Sequence, residues 1–103
     1  MPKVDHFDWD DGNRDKCRKH GVSIAEIEAV LAAPEAVSRS DAAHSGDEPR
    51  RIAIGRGAEG RPIFVGLTER WRDGRILLRP ITARYMHAKE ARRYEALARD
   101  EDR

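Results

Sequence analysis

The sequence predicts an α+β fold in which helices pack against one antiparallel sheet. Apolar residues recur at helical spacing in two N-terminal segments, alternate with polar residues in a central block, and return to helical spacing near the C-terminus. Short glycine-bearing turns divide the central block, which favours an antiparallel meander. For a chain of 103 residues we expect a single domain, residues 1–103, with one modest core.

The first expected elements are a short strand and a helix. The stretch VDHFDW alternates polar and apolar residues, so Phe7 and Trp9 would share one face of a strand. Asp10 or Asp11 can accept hydrogen bonds from the free backbone amides at the start of a helix. That helix is expected to run to about His20.

A second helix is expected to follow after one glycine. Gly21 can adopt the left-handed conformation that ends a helix, and Ser23 and Glu26 have the S-x-x-E spacing of a capping box. The helix closes at Pro34, and its apolar residues at helical spacing are Ile24, Ile27, Val30 and Leu31.

The central block predicts a weak strand at AVSRS and three stronger strands, RRIAIGR, PIFVGLTER and RILLRPITAR, the last three joined by GAEG and RDG. Pro80 lies inside the last strand and has no amide hydrogen for the ladder, so we expect a β-bulge or a sheet edge there. Arg79 and Arg84 are five positions apart and would point to opposite faces of a regular strand. A bulge would bring them to the same side.

Basic residues concentrate near the C-terminus, although the net charge of the chain is only +1. A final helix is expected from about Met86 to Arg99, with Ala91, Tyr94 and Leu97 or Ala98 facing inward. Between positions 75 and 94 the net charge is 6 − 1 = +5, from one glutamate, Glu90, and six basic residues: Arg75, Arg79, Arg84, Lys89, Arg92 and Arg93. Because arginine binds phosphate through two hydrogen bonds, this segment indicates either a nucleic-acid-binding surface or a solvated helix face.

Composition excludes several classes of protein. Cys17 is the only cysteine, which excludes an intrachain disulfide and a zinc ribbon, and we expect it to be a small core residue and not a nucleophile. The N-terminus lacks the apolar segment of a secretory signal, and no run approaches the roughly 20 apolar residues of a membrane span. We therefore expect a cytoplasmic protein that makes no membrane contact.

Three stretches contain longer motifs: FDWDDGNRDKCRKHGVSIAEIEAV, RRIAIGRGAEGRPIFVGLTER and ILLRPITARYMHAKEARRYE. Within them W-D…K-H-G-V-S, R-x-I-[ST]-A-R and E-x-x-x-Y are quite specific, and together the stretches resemble the BrnT family of bacterial toxins. The likeness runs from Phe7 to Glu95. Thr82 stands where many members have serine, a change that keeps the hydroxyl group.

This resemblance implies a RelE-like fold, a ribonuclease activity that arrests translation, and a neighbouring antitoxin. The substrate would be RNA. The expected antitoxin is a BrnA-like ribbon-helix-helix protein, which would form a heterotetramer with the toxin, and operator DNA would be bound only through the antitoxin.

Cleavage of RNA without a metal needs a base for the 2′-hydroxyl proton, cations for the charge on the phosphate, and an acid for the leaving 5′-oxygen. His20 is the best single acid/base candidate, because an imidazole can exchange a proton near neutral pH. The resemblance supports it, since Lys19 and His20 match the family motif. Arg79 and Arg84 are the expected phosphate clamps, and Arg51 is a third candidate.

Tyr94 and Glu48 complete the candidate set, and each candidate has a structural alternative. His20 could merely neutralise the C-terminal end of a helix. Arg79 or Arg84 could be a surface arginine that pairs with Glu48, Glu69 or Glu90, and Arg51, next to Glu48, could be half of a salt bridge. Tyr94 could be a buried ring with a satisfied hydroxyl.

We expect neither a metal nor a cofactor. His6, Asp8 and Asp10 alternate in a way that imitates a ligand set, but a strand end followed by a helix cap explains the two acids. Trp9 is expected to anchor the core, whereas Trp71 could equally stack on a base. Two other functions remain open: a nucleic-acid-binding module that does not cut, and an inactive protein whose helices only dock an antitoxin.

Overall fold

The structure, a computed structural model, describes residues 6–38 and 50–101, with side chains described throughout except at 36–38 and 97–101. Its strands form a four-stranded antiparallel sheet in the order β1-β2-β3-β4. The predicted α+β class, meander and C-terminal helix are confirmed, while the RelE-like assignment stays a prediction. In chain order the elements are α1 (Asp11–Arg18), α2 (Ile24–Ala32), β1 (Ala36–Ser38), β2 (Arg50–Arg56), β3 (Pro62–Arg72), β4 (Arg75–Tyr85) and α3 (Ala88–Glu101).

Helices cover both faces of the sheet. On one face, called face A here, α1 and α2 bury the larger core, which includes Ile27, Val65 and Ala83. On the opposite face, face B, α3 buries a smaller cluster that includes Ala91 and Ile54. The predicted inward position of Ala91 is therefore confirmed, and the sheet is the middle layer of three.

The N-terminal segment contacts the free edge of β4. Instead of the expected strand, Phe7 forms one isolated parallel bridge with Leu78. The amide of Asp8 donates to the Leu78 carbonyl at 2.9 Å, and the amide of Leu78 donates to the His6 carbonyl at 3.3 Å. Phe7 and Trp9 both pack against the face A core, so they share one side as predicted, and Trp9 contributes to the core as expected. Residues 4 and 5 of the expected strand lie outside the described residues.

Both N-terminal helices begin with a reciprocal capping box. In α1 the Asp10 carboxylate accepts from the Asn13 amide at 3.0 Å, while the Asn13 side chain accepts from the Asp10 amide at 2.7 Å. In α2 the Ser23 hydroxyl accepts from the Glu26 amide at 3.1 Å, as the S-x-x-E spacing predicts. Each box satisfies amides that the first turn of a helix leaves free.

The first helix is shorter than expected, since it ends at Arg18 and not near His20. The chain tightens into a turn in which the Lys19 amide bonds to the Lys16 carbonyl. Gly21 follows at a φ of +89°, the left-handed conformation that was predicted for it.

Two of the predicted turns join the meander. Asp73 and Gly74 have φ angles of +52° and +76°, and Arg72 pairs directly with Arg75, so RDG forms a two-residue hairpin of the type favoured by strand twist. The GAEG segment contains one turn of 3₁₀ helix at Ala58–Gly60. The polar loop expected after β1 lies outside the described residues.

A β-bulge lies beside Pro80, as predicted. Gly66 of β3 pairs with Thr82, but the next residue, Leu67, pairs with Pro80, so Ile81 is one extra residue on β4. The bulge shifts the alternation of side chains along β4 by one position. In the closing helix Tyr94 packs inward as expected, whereas the side chains of residues 97 and 98 lie outside the described part.

Candidate nucleic-acid interface

The arginines of the sheet lie almost entirely on one face. Paired residues on neighbouring strands point to the same side, and side chains alternate along each strand. Counting from the pairing register, seven of the eight arginines in β2, β3 and β4 point to face B and only Arg51 points to face A. We call the seven the arginine face: Arg50, Arg56, Arg70, Arg72, Arg75, Arg79 and Arg84.

Two members of the arginine face oppose each other at the hairpin tip. Arg72 and Arg75 form the last pair before the Asp73–Gly74 turn, and like charges placed directly opposite each other destabilise a sheet. Arg70 stands two positions before Arg72 and so shares its face. A local arrangement that works against folding is expected where function requires it, and here it creates a surface suited to an anion.

The expected clamp Arg84 lies in a mixed aromatic and acidic cluster at the edge of α3. Its guanidinium donates two hydrogen bonds to the Glu90 carboxylate, at 2.9 and 3.1 Å. The same guanidinium lies over the Phe64 ring, 4.7 Å from its centre, and Tyr94 meets Phe64 edge-on at 6.1 Å. Hydrogen bonds from Arg84 hold the pKa of Glu90 below its ordinary value. The cluster therefore places an arginine, a carboxylate and a phenol side by side.

The second expected clamp, Arg79, is on the same face but is held differently. It pairs with Asp10 at 2.9 Å and with Asp8 at 3.4 Å, and only 17% of its side chain is exposed. The expectation that a bulge brings Arg79 and Arg84 to one side is confirmed, because their partners Thr68 and Phe64 are four positions apart on β3. Arg79 nevertheless has the contacts of a structural residue that ties the N-terminal segment to β4.

Asn13 fixes the bulge from the other side, and the sequence alone gave no sign of this. Its side-chain amide donates to the carbonyls of Pro80 and Asp8, both at 2.9 Å, and the residue is buried. Asn13, Cys17 and His20 are spaced i, i+4 and i+7, so they would share one face of a helix that ran as far as His20. The first two are buried, but His20 is exposed because α1 ends before it.

The other candidate residues are not brought to the arginine face. Lys19 and His20 are exposed in the turn between α1 and α2, the two helices of the face A layer. Arg51 points to face A and forms an ion pair. The salt-bridge alternative for this residue is therefore observed, with Glu69 as the partner. Glu48 lies outside the described residues. Whether any of these residues takes part in catalysis stays a prediction.

The two tryptophans differ in burial: Trp9 packs against the core as expected, whereas Trp71 is exposed. Trp9 is partly buried, and its indole nitrogen donates to Glu28 at 2.9 Å. Trp71 is 68% exposed and pairs across the hairpin with Ile76, which is 43% exposed. This apolar pair lies on face A of the tip, on the side opposite the arginines.

Cys17 is fully buried in the face A core, and burial raises the pKa of its thiol from 9.0 to about 11. Within residues 6–38 and 50–101, no three side chains of the metal-binding types cluster closely enough to hold an ion. In the same part of the chain, no helix is both long and apolar enough to cross a membrane.

The sheet and its charge pattern define a class: a small α+β protein that presents a dense arginine surface suited to a polyanion. The comparison with protein families is more specific. The family model for the ribonuclease toxin BrnT of type II toxin-antitoxin systems matches residues 9–90, and the chain belongs to that family. The resemblance noted from the motifs is confirmed. The protein is a ribonuclease toxin of a type II system, for which the substrate is RNA and the partner an antitoxin. No curated protein matches the chain at the significance that the comparison requires.

Proposed function

We propose that this toxin is a metal-independent endoribonuclease that binds single-stranded RNA on the arginine face. The 2′-oxygen attacks the adjacent phosphorus, the bond to the 5′-oxygen breaks, and the products carry a 2′,3′-cyclic phosphate and a 5′-hydroxyl. The observation that supports this proposal best is the placement of seven arginines on face B, against one on face A. A phosphate backbone is the ligand that such a surface fits.

Within the arginine face, the cluster around Arg84 has the groups that the reaction needs. Arg84 can bind a non-bridging phosphate oxygen with its planar fork and stabilise the charge that develops on phosphorus. The ring of Tyr94 contacts Phe64 in the same cluster. From this position its phenol can give a proton to the leaving 5′-oxygen. Phe64 offers an aromatic surface on which the Arg84 guanidinium rests.

His20 is the second candidate for the acid, with Lys19 beside it. Their turn is exposed and belongs to the face A layer, so the geometry favours Tyr94 over His20. Arg51 is retained as a candidate clamp only for RNA that extends past the arginine face, because its side chain points the other way. Arg79 is proposed to bind RNA less directly than Arg84, since two aspartates already hold it.

We further propose that cleavage arrests translation in the cytoplasm, and that the antitoxin is a BrnA-like ribbon-helix-helix protein. The two proteins would assemble as a heterotetramer that binds operator DNA through the antitoxin. The family likeness supports these proposals. The charge of the arginine face adds a physical reason, because an acidic antitoxin surface would associate faster at low salt than at high salt.

The test is cleavage of a defined single-stranded RNA by purified toxin in the presence of EDTA, with the product ends identified. We expect cutting to persist and to leave cyclic phosphate ends. Products with 3′-hydroxyl ends that disappear with the chelator would overturn the mechanism. Binding without any cleavage would instead identify a nucleic-acid-binding module.

Variants then locate the site. Arg84→Ala should lower the single-turnover rate roughly 10²–10³-fold, and Arg84→Lys should not restore it, since lysine lacks the planar fork. Arg18→Ala is the matched control, because Arg18 is an exposed, ion-paired arginine outside the arginine face. Equal losses from the Arg84 and Arg18 variants would show that the arginine face has no special role.

A further inference from the structure

We propose that Glu90 is the general base of the reaction and that Arg84 controls it by changing partners. In the free protein Arg84 binds Glu90 with both arms of its guanidinium. When RNA binds, Arg84 turns to the scissile phosphate, and the released carboxylate takes the proton of the 2′-hydroxyl. This inference rests on the proposed ribonuclease site and gives a catalytic role to Glu90, the first residue of the E-x-x-x-Y motif.

The exposure of the pair makes such an exchange possible. The Arg84 side chain is 40% exposed and that of Glu90 35% exposed, so both can meet a ligand without opening the fold. An ion pair this exposed adds little to stability, and a phosphate offers the guanidinium an equivalent pair of acceptors. Arg79 lacks this freedom, because its side chain is only 17% exposed and is held by two carboxylates.

Phe64 provides the pivot. The Arg84 guanidinium lies over the Phe64 ring at 4.7 Å, and this stacking can persist while the hydrogen-bond acceptor changes. Tyr94 contacts the same ring and follows Glu90 by four positions on α3, so Glu90 and Tyr94 are neighbours on one helix face. A base and an acid thus stand next to the arginine that would hold the phosphate between them.

The charges around Glu90 suit this role. Arg84 of β4 is the main group that lowers its pKa, and His87 and Arg93 of α3 act in the same direction with smaller effect. Loss of the Arg84 hydrogen bonds raises the pKa of Glu90 toward its ordinary value of 4.5, which makes the carboxylate a better proton acceptor at the moment RNA is bound. It still remains ionised at neutral pH.

The proposed step balances without any further reactant. The proton of the 2′-hydroxyl passes to Glu90, the 2′-oxygen forms a bond to phosphorus, and the bond from phosphorus to the 5′-oxygen breaks. The 5′-oxygen receives a proton from Tyr94. Glu90 then loses its proton to solvent and Tyr94 regains one, so the site returns to its starting state.

The first experiment compares Glu90→Gln with wild type in single-turnover cleavage of RNA and in binding of a 2′-O-methyl analogue that cannot be cut. We expect Glu90→Gln to bind the analogue at least as tightly, because Arg84 is released, and to cleave roughly 10²–10⁴-fold more slowly. Glu90→Asp should recover part of the rate. Asp15→Asn, which removes the acid of another exposed ion pair, should leave the rate unchanged.

Two outcomes would contradict the inference. If Glu90→Gln cleaves as fast as wild type or faster, Glu90 only occupies Arg84 and the inference is overturned while the proposed function stands. If wild-type protein neither binds nor cleaves RNA, the proposed function fails and the inference fails with it.

A second measurement does not depend on a variant. Carbon-13 NMR titration of the Glu90 carboxyl in wild-type protein should show a higher pKa with the bound 2′-O-methyl RNA than without it. An unchanged or lower value would show that Arg84 keeps its original partner, which would also overturn the proposed exchange.

Discussion

Replacing Asn13 should destabilise the protein far more than its position in a short surface helix suggests. Its side chain donates to the Pro80 and Asp8 carbonyls and accepts from the Asp10 amide. Asn13→Ala removes all three hydrogen bonds, each with a net value of about 1 kcal/mol, and leaves the Pro80 carbonyl buried without this partner. The better helix propensity of alanine returns about 0.5 kcal/mol. The free energy of unfolding should therefore fall by about 2–3 kcal/mol.

Equilibrium unfolding in urea measures this loss. With a slope of about 1 kcal/mol per molar urea for a chain of this size, the midpoint should move by about 2 M. Arg14→Ala is the matched control, since Arg14 is the next residue of the same helix and is exposed. Asn13→Asp keeps the shape and the acceptor but loses both donors, so it should destabilise at least as much as Asn13→Ala. If Asn13→Ala and Arg14→Ala differ by less than about 0.5 kcal/mol, the bulge does not depend on Asn13.

The remaining predictions concern other parts of the molecule. His20→Ala should reduce stability by at most ~1 kcal/mol, as expected for a residue beyond a helix end, and should leave the rate of RNA cleavage within a few-fold of wild type. If the cleavage rate instead falls roughly 10²–10⁴-fold with an unchanged melting curve, His20 is the acid in place of Tyr94. Cys17 should not react with a thiol reagent at pH 8 in the folded protein, because its pKa is about 11 and it is buried; reaction without unfolding would contradict the packing of the face A core. Stability should decline in acid, because the pKa values of Asp10 and Glu26 are lower in the folded protein than in the unfolded chain. The stability that these carboxylates add is fully present above their unfolded pKa values of 3.8 and 4.5. It is lost as the pH falls through their lower folded pKa values. Melting curves between pH 3 and 7 measure this, and a melting temperature that stays flat down to pH 3 would show that neither carboxylate matters.

Local features of the fold could be predicted because their causes lie close together in the sequence. The Ser23 capping box involves two residues three positions apart, and the Asp73–Gly74 hairpin needs only the left-handed conformations of two adjacent residues. The bulge beside Pro80 follows from one missing amide hydrogen. Each of these could be predicted from residues that lie within a few positions of one another.

What the sequence missed depends on distant segments meeting. Asn13 and Pro80 are separated by 67 positions, and no periodicity indicates that a helix amide will contact a strand carbonyl. Lys19 and His20 lie on the side of the sheet opposite to Arg84. Their position depends on which face of the sheet each helix covers, and local sequence patterns do not decide this.

The arginine face could have been predicted in part, because the positions of the hairpin turn and of Pro80 together indicate which arginines share a side. The Asp73–Gly74 turn fixes Arg72 opposite Arg75, and counting outward from that pair places Thr68 opposite Arg79. With one residue skipped at the bulge, the same count puts Arg84 on the same side. The pattern could have been derived from the turn and the proline together, but neither one alone was enough.

The extra residue in β4 has a consequence for comparing this chain with its relatives. Along a strand, odd and even positions belong to opposite faces, so Ile81 acts as a one-letter insertion after which the two sets exchange places. A relative that lacks this insertion would have a strand one residue shorter and would still direct the counterparts of Arg79 and Arg84 to the same side. An ungapped alignment that starts at the hairpin would match Arg84 with a residue that points to the opposite face of the sheet. A single gap at position 81 restores the correspondence between sequence and surface.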